Sequence, residues 1–128
     1  MKSKSPQTYF FKKVIPVPIF YGNLVIIFSN DQEKIRKVVG FPGNLDDFAY
    51  TFHNFMHKGK ESIAIVLNFW TIEPVTMGTV MHEVNHAGNI LLRSRGVIAD
   101  YDNDEAESYV KSWMAERVQI FMDECGLL

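Results

Sequence analysis

His82, Glu83 and His86 form an H-E-x-x-H pattern, His82-Glu83-Val84-Asn85-His86, inside a stretch that reads as a long helix. Two histidines four residues apart on a helix project from one face, one turn above the other. Their imidazole nitrogens can then share a single ion, and Zn²⁺ is the ion this donor pair suits. Glu83 lies beside that face. It is badly placed to be a third ligand and well placed to take a proton from a water that the metal activates. The chemistry expected is hydrolysis, with Glu83 as general base and then as proton donor to the leaving amine. The competing reading is two surface histidines on an amphipathic helix, with Glu83 solvated.

A catalytic zinc takes three protein ligands and keeps one position open. Asp100, Asp102, Asp104, Glu105 and Glu107 cluster where a second helix should begin, after a short loop. Glu105 is the choice for the third ligand. It lies one turn into that helix, is followed by the small Ala106, and shares a face with Ser108 and Tyr109. Hydrolysis of an amide also needs a donor for the oxyanion. His53, His57, Tyr101 and Tyr109 are candidates, which the sequence does not rank, and Ser108 or Tyr109 could orient a ligand instead. A histidine in an aromatic-rich stretch such as 48–57 is more often a packed or surface residue.

These side chains need elements to hold them. Residues 14–20 and 24–28 read as two strands around Gly22-Asn23, the first an edge or irregular strand because Pro16 and Pro18 donate no hydrogen bond. Ser29 or Asn30 should cap a short helix ending at Val39-Gly40. Residues 47–56 fit a helix or a strand, and the turn signal Lys58-Gly59-Lys60, followed by the apolar run from Ile63, favours strand. The motif helix should start near Glu73-Pro74, with Thr71 as cap, and stop at Gly96. A last helix should run from about Asn103 to Glu124, burying Ala106, Tyr109, Val110, Trp113, Met114, Val118, Phe121 and Met122. Gly78 and Gly88 are costly inside a helix. They mark close packing or room for metal or substrate.

Composition narrows the classes. The 128 residues suit one domain, 1–128, with one core. A net charge of −2 gives no argument for nucleic acid or an anionic membrane. No apolar run is long enough to span a bilayer, and the start lacks an apolar export core, so no export is expected. The single cysteine, Cys125, excludes an intrachain disulfide and a cysteine-rich zinc site. It fits a reducing, cytoplasmic setting and is a poor candidate nucleophile.

H-E-x-x-H, then about twenty residues, then Asp104-Glu105-Ala106 on a second helix resembles the gluzincin group of zinc metallopeptidases. The resemblance covers about residues 75–115. It implies His82 and His86 as histidine ligands, Glu83 as general base and Glu105 as glutamate ligand of one Zn²⁺. Asp104 stands where that pattern often has asparagine. Tyr109 stands where it has an aspartate bonded to a ligand histidine, a departure at which a phenolic oxygen could do the orienting. The order of elements resembles the minimal single-domain zincins of phage and bacterial genomes. It resembles, more weakly, the metallopeptidase-like proteins that cleave phage repressors. What this implies is an α+β, zincin-like fold: a small mixed sheet packed against the motif helix and a C-terminal ligand helix. It also implies that the strand before the motif helix, Ile63 to Phe69, is an edge strand along which a peptide or protein substrate binds. The expected function is peptide-bond hydrolysis at a shallow site. The alternatives are a non-catalytic zinc-containing regulatory module and a zinc amidase acting on a non-peptide substrate.

Overall fold

Two apolar runs, 24–28 and 63–67, dictate the centre of the fold. Every residue of both is buried. Neither has a water-facing side, and strands of that kind need cover on both faces. The computed structural model describes residues 8–20, 22–43, 45, 49–67, 77–97, 100 and 104–126. The elements are β1 (Phe10–Pro16), β2 (Asn23–Ser29), α1 (Gln32–Val39), β3 (Ala49–His57), β4 (Lys60–Leu67), α2 (Met77–Ser94) and α3 (Glu105–Glu124). The strand order is β1-β2-β4-β3, with β2 and β4 parallel and both outer pairings antiparallel. The fold is α+β, as the sequence predicts.

Side-chain alternation along the inner strands divides the core. Leu24, Ile26, Phe28, Ile63, Ile65 and Leu67 share one cluster with Val80, Val84 and Leu91 of α2 and with Met114, Val118 and Phe121 of α3. Val25, Ile27, Ala64 and Val66 share the other with Ile35 and Val39 of α1 and with Phe55. The Phe28 and Phe121 rings stack with centroids 4.8 Å apart, tying α3 to the sheet.

The ambiguous stretch 47–56 resolves as strand. Ala49–His57 forms β3 and pairs antiparallel with β4, while 46–48 lie outside the described residues. Helical spacing of its aromatics loses to pairing with an apolar strand that has an open side. A bulge between Phe52 and Phe55 places Asn54 at φ 62°, a left-handed conformation that asparagine tolerates. The β3–β4 turn has Lys58 at φ 50° and Gly59 at φ 77°, the signature of a two-residue type I′ hairpin.

The expected edge strand, Ile63 to Phe69, is corrected by this topology. β4 is paired with β2 on one side and β3 on the other, so its backbone groups are already engaged. Asn68 and Phe69 lie outside the described residues. The edges of the sheet are β1 and β3. The uninterrupted apolar run of β4 belongs to a strand buried on both faces, and such strands are interior ones.

Asp31, not Ser29 or Asn30, caps α1. Its carboxylate accepts from the Lys34 N–H at 3.2 Å, and Gly40 at φ 72° closes the other end. The Ser29 hydroxyl instead accepts from the Asp31 N–H at 2.9 Å. For α2, the expected start at Glu73-Pro74 and the Thr71 cap fall outside the described residues, and Gly96 at φ 74° follows its last turn.

Candidate metal centre

α2 turns one stripe inward: Val80, Glu83, Val84, Ala87, Gly88, Leu91 and Leu92 are buried. His82 and His86 lie on the other side and are exposed. The stripe's spacing fixes this, because a helix that buries 80, 84, 87 and 91 must present 82 and 86 to solvent. The two Nε2 atoms are 3.2 Å apart, with ring planes at 85°. Two nitrogens on a tetrahedral zinc, each about 2.0–2.1 Å from it, lie about 3.3 Å from each other. The pair therefore already has the separation that one ion demands. In the protein alone the same separation accommodates a ring-to-ring N–H···N hydrogen bond.

Glu83 occupies the flank of α2 turned toward β3 and is only 5 % exposed. The Thr51 hydroxyl of β3 donates to the Glu83 backbone carbonyl at 3.1 Å, pinning this turn of the helix against the outer strand. Glu83 thus sits beside an outer strand of the sheet, and that strand is β3.

The other expected site residues are dispersed. Glu105 is the first residue of α3 and is exposed, as are Asp104, Ser108 and Tyr109. Tyr101 and Asp102 lie outside the described residues. His57 closes the β3–β4 hairpin, while His53 sits in the bulge of β3. There it helps line a small cavity of about 70 Å³ with Asn54, Ile90, Ser94 and Arg95, one to two turns along α2 from His86. Among the described residues, no group of three or more His, Cys, Asp or Glu side chains converges to hold a metal. His82 and His86 come together, and Glu105 does not join them. Cys125 is intermediate in exposure. Burial, then the neighbouring Glu124 carboxylate, push its thiol above the usual range, against a role as nucleophile.

One arrangement beside the motif was not foreseen. The Lys111 ammonium of α3 donates to the Asn85 side-chain carbonyl at 2.7 Å and also to the Glu107 carboxylate. Its stem runs over Gly88, where an added Cβ would stand 2.6 Å from Lys111 Cγ. Gly88 is therefore a packing glycine. The carboxylate that α3 turns toward the motif helix is Glu107, half-buried, not Glu105. The i,i+4 spacing of Glu107 and Lys111 was a legible signal for their pairing; the reach to Asn85 depends on how two helices meet.

Comparison with family models, with curated proteins and with solved structures finds no match to this chain.

Proposed function

We propose that the chain is a zinc-dependent hydrolase acting on peptide bonds. The observation that carries the reading is the His82–His86 pair, exposed, with its Nε2 atoms at 3.2 Å, and Glu83 on the adjoining flank. His82 and His86 would hold the ion with a carboxylate from the first turn of α3. The resemblance to gluzincins names Glu105, and the packing of Glu107 toward α2 makes it the competitor. The bound ion would supply Lewis acidity toward a carbonyl oxygen and toward water. Glu83 takes the proton of the attacking water on its carboxylate and returns it to the leaving nitrogen. Thr51 keeps that turn of α2 beside β3. The outer edge of β3, in place of β4, is where an extended peptide would add its backbone as a further strand. The single cysteine accords with a cytoplasmic setting.

A second reading is favoured by the 5 % exposure of Glu83 and by the outward placement of Glu105. It is a regulatory module that binds metal without turning over substrate. One experiment separates the two. The purified protein should take up about one equivalent of zinc, and His82→Ala should lose it. Glu83→Gln should keep the metal and lose at least roughly a hundredfold in hydrolysis of a casein substrate. Equal turnover by Glu83→Gln and wild type removes the mechanism. Zinc uptake with no turnover by either leaves the regulatory reading. Loss of metal in Glu107→Gln but not in Glu105→Gln moves the third ligand by half a turn.

A further inference from the structure

β1 is an edge strand, and among the described residues β2 is its one strand neighbour. The direction of its backbone groups follows from the register. The Val17 N–H donates to the Gly22 carbonyl at 2.9 Å, in the position that continues the Pro16–Asn23 pairing. Backbone groups alternate along a strand, so the odd-numbered residues turn theirs to β2. Those of Phe10, Lys12, Val14 and Pro16 point outward. Pro16 therefore lacks an N–H only on the outer side, where an edge strand tolerates the loss. β1 pairs with β2 from Phe10 to Pro16 without a bulge, so this edge is regular, whereas β3 is bulged.

The face of β1 turned toward α3 supplies a second observation. Odd-numbered side chains point there. Ile15 joins the α2–α3 cluster, and the Lys13 ammonium lies 2.9 and 3.0 Å from the two carboxylate oxygens of Glu124 on α3. Phe11 shares that face and is 37 % exposed. Ile120, one turn before Glu124 and on the same flank of α3, is 40 % exposed. Two large apolar side chains and a neutralised charge therefore lie where the sheet ends.

We propose that β1 pairs antiparallel with β1 of a second copy, about a two-fold axis at Lys13, joining two four-stranded sheets into one. The side chains choose the register. With Lys13 on the axis, Lys12 and Val14 of the second copy form a hydrogen-bonded pair, and the symmetry repeats it. Each Phe10 N–H meets a Pro16 carbonyl, so the prolines fall at the ends. Phe11 faces Ile15 of the second copy in a closely spaced pair, an aromatic against a β-branched residue, which is a favourable cross-strand combination. Moving the axis to Lys12 sets Lys12 against Lys12 and Phe11 against Lys13, and moving it to Val14 shortens the paired stretch. Like charges opposite one another repel, but each Lys13 brings its Glu124, so the axis carries both signs equally. Helix α3, anchored over β2 by the Phe28–Phe121 stack, leaves room. The two copies of β2 stand three strand spacings apart, about 14 Å, against about 8–10 Å for packed helices. Phe11 and Ile120 of both copies line the gap. This self-complementarity selects a second copy over an unrelated extended peptide, which would need its own match to Phe11 and to the Lys13–Glu124 pair. The inference does not rest on the zinc chemistry.

Sedimentation equilibrium of the full chain is the test. A dimer is expected with a dissociation constant of about 10–100 µM, because one strand pair with a narrow side-chain seam is a small interface. Glu124→Lys crowds the axis with ammonium groups and should weaken association at least roughly tenfold, each change counting twice in a two-fold dimer. Lys13→Glu combined with Glu124→Lys exchanges the signs and should restore association. Lys12→Pro removes an outward N–H that β2 does not use, so it should abolish the dimer while circular dichroism shows a folded monomer. If that variant unfolds, the charge exchange alone decides. A wild type still monomeric at roughly 1 mM overturns the proposal. So does a dimer indifferent to Glu124→Lys, a weakened dimer that the exchanged pair fails to restore, or a dimer that survives in folded Lys12→Pro.

Discussion

At the scale of single residues, Ile19 is the one β-branched residue at positive φ among the described residues. It has φ 69° and is 85 % exposed, and the Phe20 N–H donates to the Pro18 carbonyl at 2.7 Å across it. A β-branched residue rarely occupies the left-handed region, and doing so costs on the order of 1–2 kcal/mol. No burial of its side chain offsets that. Ile19→Asn should therefore raise stability by about 1 kcal/mol in urea unfolding, and an unchanged or lower midpoint would show that the turn is not strained. Residue-scale reasoning put His82 and His86 on one face of α2, where their Nε2 atoms do meet, because helical spacing alone fixes it. It did not place Glu105. Whether a first-turn side chain faces a neighbouring helix depends on how that helix is rotated, and nothing in the local pattern Asp104-Glu105-Ala106 sets the rotation. Glu107 and Lys111 were equally visible as an i,i+4 pair, yet their contact with Asn85 requires knowing that α3 presents this turn to Gly88.

Between elements, the junction of α2 with α3 turns on Gly88 and Lys111. In an open helix interior Gly→Ala gains about 1 kcal/mol. Here the new methyl would meet the Lys111 stem at 2.6 Å. Gly88→Ala should accordingly give no gain in the wild-type background and about 1 kcal/mol once Lys111→Ala has cleared the space. Denaturant titration of the four proteins of this cycle measures the difference, and equal effects in both backgrounds would mean that the two residues do not meet. The strands show where local reading succeeds and stops. Runs such as 24–28 and 63–67 announce strands through their β-branched content. Their order in the sheet is a non-local matter. β4 carried a hint of its interior place, because an unbroken apolar run cannot face water on either side. The resemblance to zincins instead led to an edge position. β3 has mixed spacing because one of its faces is only partly covered, and its pairing with β4 settles its conformation.

For the whole molecule, β2 and β4 are common to both core clusters. Damage to either strand should therefore be felt on both sides of the sheet. Ile65, fully buried, is the central test. Ile65→Ala should cost about 2–5 kcal/mol, a large part of the 5–15 kcal/mol available to a domain. Circular dichroism and tryptophan fluorescence, which includes Trp113 on α3, should lose their signals at one shared midpoint. Separate midpoints would mean that the α1 layer and the α2–α3 layer melt as independent units. No helix among the described residues is long and apolar enough to cross a membrane.

The position of β4 has a consequence for synthesis. A nascent chain that has emerged only as far as the hairpin turn holds β1, β2, α1 and β3, yet β2 and β3 have nothing to join them. Assembly must wait for translation to deliver the piece that slots between. During that interval the exposed flank of β2 is a template that any passing strand could copy.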